Sequence, residues 1–121
     1  MARKVLIVDD HPDFRARARA LLSAAGYEVV GEASDGMSGV RVVRDLAPDV
    51  LLLDVQLPDV TGFEVVRILH ADPDPPAIVL ISSRDAADYG TRVRRSGALG
   101  FISKAELSAR TLQAVLEGAG R

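Results

Sequence analysis

The chain has 121 residues, of which 48% are apolar and 26% are charged, so residues 1–121 can form one globular domain with a single core. Its formal net charge of −2 argues against broad electrostatic attraction to nucleic acid or to an anionic membrane. The absence of cysteine excludes disulfides, thiolate metal sites and cysteine nucleophiles. No apolar run approaches the roughly 20 residues that cross a bilayer, and we expect a cytoplasmic protein.

Strand-like and helix-like segments alternate along the chain. Apolar runs predict five strands, at residues 4–9, 27–33, 49–54, 77–82 and 98–103. Helical spacing of apolar residues predicts five helices, which begin near residues 12, 35, 61, 86 and 105. The fourth is expected to run to about residue 96 and the fifth to about residue 118. This alternation predicts an α/β fold, a doubly wound parallel sheet with helices on both faces.

Four of the predicted strands end, at their carboxyl side, in residues that can bind phosphate or a metal ion. In chain order these residues are Asp9 and Asp10, then Asp54, Ser82 and Lys104. Because the carboxyl ends of parallel strands lie along one edge of the sheet, these side chains can converge although they are far apart in the sequence. Three carboxylates, a hydroxyl and an ammonium at one edge form a candidate reactive site.

The same residues suit phosphoryl transfer, which needs a nucleophile, a means of neutralising the phosphoryl oxygens and usually a divalent cation. Asp54 can be the nucleophile, because carboxylates form aspartyl-phosphates. Asp9 and Asp10 supply the hard oxygen ligands that Mg²⁺ favours. Lys104 would place a positive charge on a phosphoryl oxygen, and Ser82 would donate a hydrogen bond to another.

Each of these residues also has a plainer reading. Asp10 can cap the first helix, Lys104 can be a solvated surface lysine, and Ser82 can be a turn residue. Phe101, on sequence grounds alone, is more typical of a core aromatic than of a functional one. His11 has no partner at ligand spacing, and we assign it no role.

Four segments of the chain together resemble the receiver domain of bacterial two-component response regulators. They are the acid pair at residues 9–10, residues 54–62, the serine pair at 82–83, and residues 97–104. The resemblance covers the whole length of the chain. It implies a flavodoxin-like sheet with the strand order 2-1-3-4-5. The last segment, with Phe101 three residues before the lysine, resembles regulators that carry a helix-turn-helix output domain.

The resemblance implies a phosphorylation reaction at Asp54. A sensor histidine kinase or a phosphotransfer protein would donate the phosphoryl group, with Mg²⁺ as the cofactor. Asp10 and Asp54 would bind Mg²⁺ through their side chains, Asp9 mostly through water, and Gln56 through its backbone carbonyl. Such a domain is not an enzyme with a separate substrate, since it catalyses only its own phosphorylation and dephosphorylation.

The resemblance also implies a switch. Ser82 and Phe101 match the positions that couple phosphorylation to a change of shape in this family. The output would be a DNA-binding domain absent from this chain. We expect the receiver itself to bind no nucleic acid and no membrane. A stand-alone regulator is the alternative, and phosphorylation-dependent homodimerisation is left open.

Two other functions compete with a signalling switch. A flavodoxin-type carrier shares the strand order, but residues 9–12 are acidic where its flavin phosphate would lie. A phosphohydrolase that uses an aspartyl-phosphate usually has a second acid two residues after the nucleophile, where this chain has Gln56. Ala105 stands where many receivers have a proline that often follows a cis bond, so the isomer of the peptide bond before it is left open.

Overall fold

The structure, a computed structural model, describes residues 2–84 and 86–118. Its strands are β1 (Lys4–Val8), β2 (Glu28–Ala33), β3 (Val50–Asp54), β4 (Ala77–Ser82) and β5 (Gly100–Ser103). Its α-helices are α1 (Pro12–Ala24), α2 (Gly36–Leu46), α3 (Gly62–His70), α4 (Arg92–Arg95) and α5 (Ala109–Gly118). Two 3-10 turns, at Ala86–Tyr89 and Lys104–Glu106, accompany them.

The five strands form one parallel sheet in the order β2-β1-β3-β4-β5. This order confirms the predicted flavodoxin-like α/β fold, with β2 and β5 at the two margins of the sheet. No helix within residues 2–84 and 86–118 is long and apolar enough to span a membrane. Every described peptide bond is trans, including the bond from Lys104 to Ala105.

The central strands are apolar on both faces because helices cover both faces. On β3, Leu51 and Leu53 pack with the buried residues of α2 and α3, whereas Leu52 packs with those of α1 and α5. Fully burying a leucine stabilises the fold by about 2 kcal/mol. The two hydrophobic layers therefore fix the register of the strands, since a shift by one residue would exchange the two faces.

Side-chain caps position the helices next to the carboxyl edge of the sheet. Thr61 accepts a hydrogen bond from the backbone N–H of Glu64 at 3.2 Å, as the sequence predicts for the start of α3. The two carboxylate oxygens of Asp59 accept the N–H groups of Gly36 at 2.8 Å and of Met37 at 2.9 Å. Burial raises the pKa of Asp59, but the backbone N–H groups of Met37 and Gly36 outweigh it and hold that pKa below its usual value.

Two helices differ from their predicted extents. The continuous fourth helix predicted from residue 86 to about residue 96 is wrong, because Gly90 has a φ of +58° and separates the turn at Ala86–Tyr89 from α4. The fifth helix begins at Ala109 and not near residue 105. Its first turn is closed by Ser108, whose hydroxyl accepts the backbone N–H of Thr111 at 3.1 Å.

Gly62 lies directly under the end of β3. Its N–H donates to the carbonyl of Val55 at 2.7 Å, and a Cβ at this position would lie 2.5 Å from the carbonyl oxygen of Asp54. The contact is with backbone atoms, which cannot move aside as a side chain can. Only glycine allows α3 to begin this close to the strand.

Gly62→Ala should therefore lower the free energy of unfolding, by about 1–3 kcal/mol, because the added methyl group overpacks the strand end. The measurement is urea unfolding followed by circular dichroism. Gly118→Ala is the matched control, since a Cβ there would meet nothing within 4 Å, and it should stay within about 0.5 kcal/mol of wild type. Equal stability of the two variants would contradict this account of Gly62.

Candidate functional site

The carboxyl ends of β1, β3 and β5 bring three charged side chains together. Asp9 directly follows β1 and is 0% exposed, and Asp54 ends β3 and is 3% exposed. Lys104 directly follows β5. Its Nζ lies 2.6 Å from Oδ2 of Asp9 and 3.3 Å from Oδ2 of Asp54. Residues separated by most of the sequence therefore form one buried ion cluster.

Phe14 helps to hold the lysine in this position. The ammonium of Lys104 lies 4.7 Å from the centroid of the Phe14 ring, within cation–π range. The lysine side chain is only 12% exposed. Lys104 is therefore not the solvated surface lysine of the plainer interpretation.

The surroundings of Asp54 oppose its ionisation. Burial and then the negative charge of Asp9 raise the pKa of Asp54 to about 6, although Lys104 and the N–H of Gln56 favour the charged form. Gln56 donates that N–H to Oδ1 of Asp54 at 3.2 Å. In this structure Asp54 is thus a buried carboxyl with too little positive charge around it.

Asp9 is satisfied on one side only. Its Oδ1 accepts the backbone N–H of His11 at 2.8 Å. Its Oδ2 is buried and accepts no hydrogen bond from the described residues, so its contact with Lys104 is an ion pair without hydrogen-bond geometry. A buried carboxylate oxygen in this state favours a second cation nearby.

The donor set at this edge fits a divalent cation. Ligand atoms of Asp9, Asp10, His11 and Asp54 all lie within 4.8 Å of one another. Oxygen ligands about 2.1 Å from an octahedral Mg²⁺ lie roughly 3–4 Å apart, so one ion could reach this whole set. Gln56 follows two residues after Asp54, in a loop closed by an isolated bridge to Thr61.

His11 is a neighbour of this cluster that the sequence did not reveal. Its Nδ1 lies 3.1 Å from Oδ1 of Asp9, 3.2 Å from Oδ1 of Asp10 and 3.4 Å from Nζ of Lys104. The one available signal was its position directly after the acid pair. Because the ring is 66% exposed, it lies at the mouth of the site.

Ser82, at the end of β4, faces a different partner. The residue is 1% exposed, and its Oγ lies 2.8 Å from the hydroxyl of Tyr89 and accepts the N–H of Arg84 at 3.1 Å. None of the hydrogen bonds described for Ser82 goes to Asp54. The ring of Tyr89 also lies 5.8 Å, centroid to centroid, from the half-buried ring of Phe101. The sequence did not single out Tyr89.

A model of the response regulator receiver domain family matches residues 5–117. This chain belongs to that family. The match begins at the second residue of β1 and covers the other four strands and the acidic edge just described.

Curated relatives of this receiver are longer transcription regulators. A putative transcriptional regulator of Pseudomonas aeruginosa is 37% identical over 103 residues, which are 85% of this chain and 50% of the relative. The virulence factors putative positive transcription regulator BvgA of Bordetella pertussis is 35% identical over 106 residues, 88% of this chain and 51% of BvgA. The chain thus spans about half the length of the curated relatives it matches.

Solved structures show the same fold. The signal receiver domain of the putative response regulator NarL from Mycobacterium tuberculosis is 33% identical, with a TM-score of 0.86 over 98% of this chain and 97% of that one. A LuxR-family two-component response regulator from an Aurantimonas species is 27% identical, with a TM-score of 0.87 over 99% of this chain and 86% of that one.

The raised pKa of Asp54 makes the stability of this receiver depend on pH. Because the folded-state pKa of Asp54 lies above its usual value, its carboxyl contributes to the stability of the fold at low pH. That contribution is lost as the pH rises from about 4 through the folded pKa of about 6. Without divalent cations, Asp54→Asn should therefore be more stable than wild type at pH 8, by about 2 kcal/mol, and by much less at pH 4.5.

Urea unfolding in EDTA at the two pH values measures this difference. Asp45→Asn, which changes an exposed carboxyl of α2, is the control and should show no such dependence. A pH-independent difference between Asp54→Asn and wild type would contradict the electrostatic account.

Proposed function

We propose that this receiver accepts a phosphoryl group on Asp54 from a sensor histidine kinase or a phosphotransfer protein in a Mg²⁺-dependent reaction. One observation supports it above the others: a buried carboxylate ends the central strand β3 beside a lysine and two further acids. An Asp54 oxygen forms the new P–O bond while the P–N bond to the donor phosphohistidine breaks. The histidine ring, which carries a proton on its other nitrogen, takes the bonding pair and leaves as neutral imidazole.

The other residues of the edge have distinct parts in this proposal. Asp9, Asp10, Asp54 and the backbone carbonyl of Gln56 would hold Mg²⁺, which when bound neutralises charge on the phosphoryl oxygens. Lys104 would then exchange its contact with Asp9 for a phosphoryl oxygen. Its distance of 3.3 Å from Asp54 supports this role.

Ser82 and Phe101 form the switch in the same proposal. The Ser82 hydroxyl would donate to a phosphoryl oxygen, and the half-buried ring of Phe101 would turn into the space that the hydroxyl leaves. This is a local change of charge and packing that biases two conformations of the domain. The face formed by α4, β5 and α5 would then change its preference for partners.

The proposal also covers the context of the domain. Receiver domains are signalling domains, and we infer that this one catalyses only its own phosphorylation and dephosphorylation. It would fill residues 1–121 and act in the cytoplasm as part of a longer transcription regulator, as the names of its relatives suggest. The output domain of that regulator would bind DNA. Membership of the receiver family argues against a flavodoxin-type carrier. Gln56 in place of a second acid argues against a phosphohydrolase.

Asp54→Asn should abolish phosphorylation, because an amide cannot attack phosphorus. Incubation with ³²P-labelled acetyl phosphate and Mg²⁺ should label wild type and the Asp45→Asn control but not Asp54→Asn. Equal labelling of the Asp54 variant would show that the acceptor is another residue. Size-exclusion chromatography of the same samples tells whether phosphorylation also drives homodimerisation.

Asp10→Asn should weaken Mg²⁺ binding about tenfold or more with little effect on folding, since Asp10 is exposed and the change removes one ligand charge. Isothermal titration calorimetry measures the affinity. Asp13→Asn, three residues further on and also exposed, should bind Mg²⁺ as wild type does. Equal losses in both variants would mean that Mg²⁺ responds only to net charge.

A further inference from the structure

Tyr89 is hydrogen-bonded to the Ser82 hydroxyl, which is too buried for water to take the place of this partner. Ser82 is 1% exposed, so its hydroxyl depends on protein partners, and these are the Tyr89 hydroxyl at 2.8 Å and the N–H of Arg84 at 3.1 Å. A serine hydroxyl has one proton and two lone pairs. The N–H of Arg84 occupies one lone pair, so the Tyr89 hydroxyl bonds to either the proton or the second lone pair of the serine.

We propose that Tyr89 is a positioning residue that holds the Ser82 hydroxyl away from Asp54 in the unphosphorylated receiver and releases it on phosphorylation. This inference rests on the proposed phosphorylation of Asp54. In the structure the Ser82 side chain bonds to Tyr89 and Arg84, and its described hydrogen bonds do not include Asp54. To reach a phosphoryl oxygen, the hydroxyl has to give up Tyr89.

The ring of Tyr89 connects this exchange to the surface of the domain. The centroid of its ring lies 5.8 Å from that of Phe101 and 5.8 Å from that of Phe63. The guanidinium of Arg92, on α4, covers the Phe63 ring at 4.4 Å from its centroid. A tyrosine that loses its hydrogen bond thus changes the packing of Phe101 and of the surface at Arg92 together.

The backbone beside Tyr89 has room for such a change. Gly90 follows directly, with a φ of +58°, and even an added Cβ there would meet no atom within 4 Å. The turn and α4 on its two sides have four residues each. Displacing two short elements joined by a glycine without close neighbours costs less free energy than displacing one continuous helix.

The critical variant is Tyr89→Phe, which keeps the ring and removes only the hydroxyl. Without the competing contact, it should bind beryllium fluoride, a phosphoryl mimic, about fivefold more tightly than wild type in the presence of Mg²⁺. Fivefold corresponds to about 1 kcal/mol, the usual net contribution of one hydrogen bond. Tyr27→Phe, which removes the hydroxyl of the other tyrosine of the chain, should bind as wild type does.

A double-mutant cycle separates positioning from a general effect on packing. In a Ser82→Ala background the Tyr89 hydroxyl has lost its partner, so Tyr89→Phe should there leave the affinity unchanged. A fivefold effect that persists without the Ser82 hydroxyl would overturn the inference. So would a Tyr89→Phe protein that binds beryllium fluoride as wild type does, or more weakly.

Tyrosine fluorescence gives an independent readout that leaves Tyr89 intact. The chain has two tyrosines and no tryptophan, so the emission of Tyr27→Phe comes from Tyr89 alone. Beryllium fluoride with Mg²⁺ should change that emission, and Asp54→Asn in the same background should abolish the change. No change despite binding measured by calorimetry would reject the role of Tyr89, whereas failure of wild type to bind at all would reject the proposed function itself.

Discussion

The ammonium of Lys104, held between the carboxylates of Asp9 and Asp54, is the interaction on which the rest of this receiver depends. It ties together the ends of β1, β3 and β5 in a space too buried for water to screen the charges. One positive charge cannot neutralise two buried carboxylates and the neighbouring Asp10. The site is therefore short of positive charge, which accounts for its fit to a cation. Burial, and then the uncompensated charge of Asp9, raise the pKa of Asp54.

The residues of this cluster could be predicted from sequence for a geometric reason. In a parallel sheet, the end of each apolar run fixes the position of the next side chain, so Asp9, Asp54, Ser82 and Lys104 were placed at one edge without knowledge of any loop. The start of α3 was predictable because the side chain of Thr61 caps it locally, by accepting the backbone N–H of Glu64. The roles of the strand-end residues in phosphorylation and Mg²⁺ binding remain predictions.

His11 and Tyr89 could not be found in the same way. Their positions depend on the course of a loop and a 3-10 turn, which apolar periodicity does not specify. The fourth helix failed for a related reason: residues 86–96 have helical composition, but the backbone at Gly90 takes a left-handed conformation. Sequence patterns thus located the residues at the strand ends better than the loop and turn residues beside them.

Asp59 gives this domain an asymmetry. By accepting the N–H groups of Gly36 and Met37, it holds the loop after β3 against the start of α2, so the backbone on that side of Asp54 is fixed. On the other side, Ser82 is linked to its surroundings by a tyrosine at the end of a four-residue turn. If phosphorylation releases Ser82 from Tyr89 as proposed, a protein that docks on α2 would meet the same surface in both states. A protein that docks beside Arg92 would distinguish them.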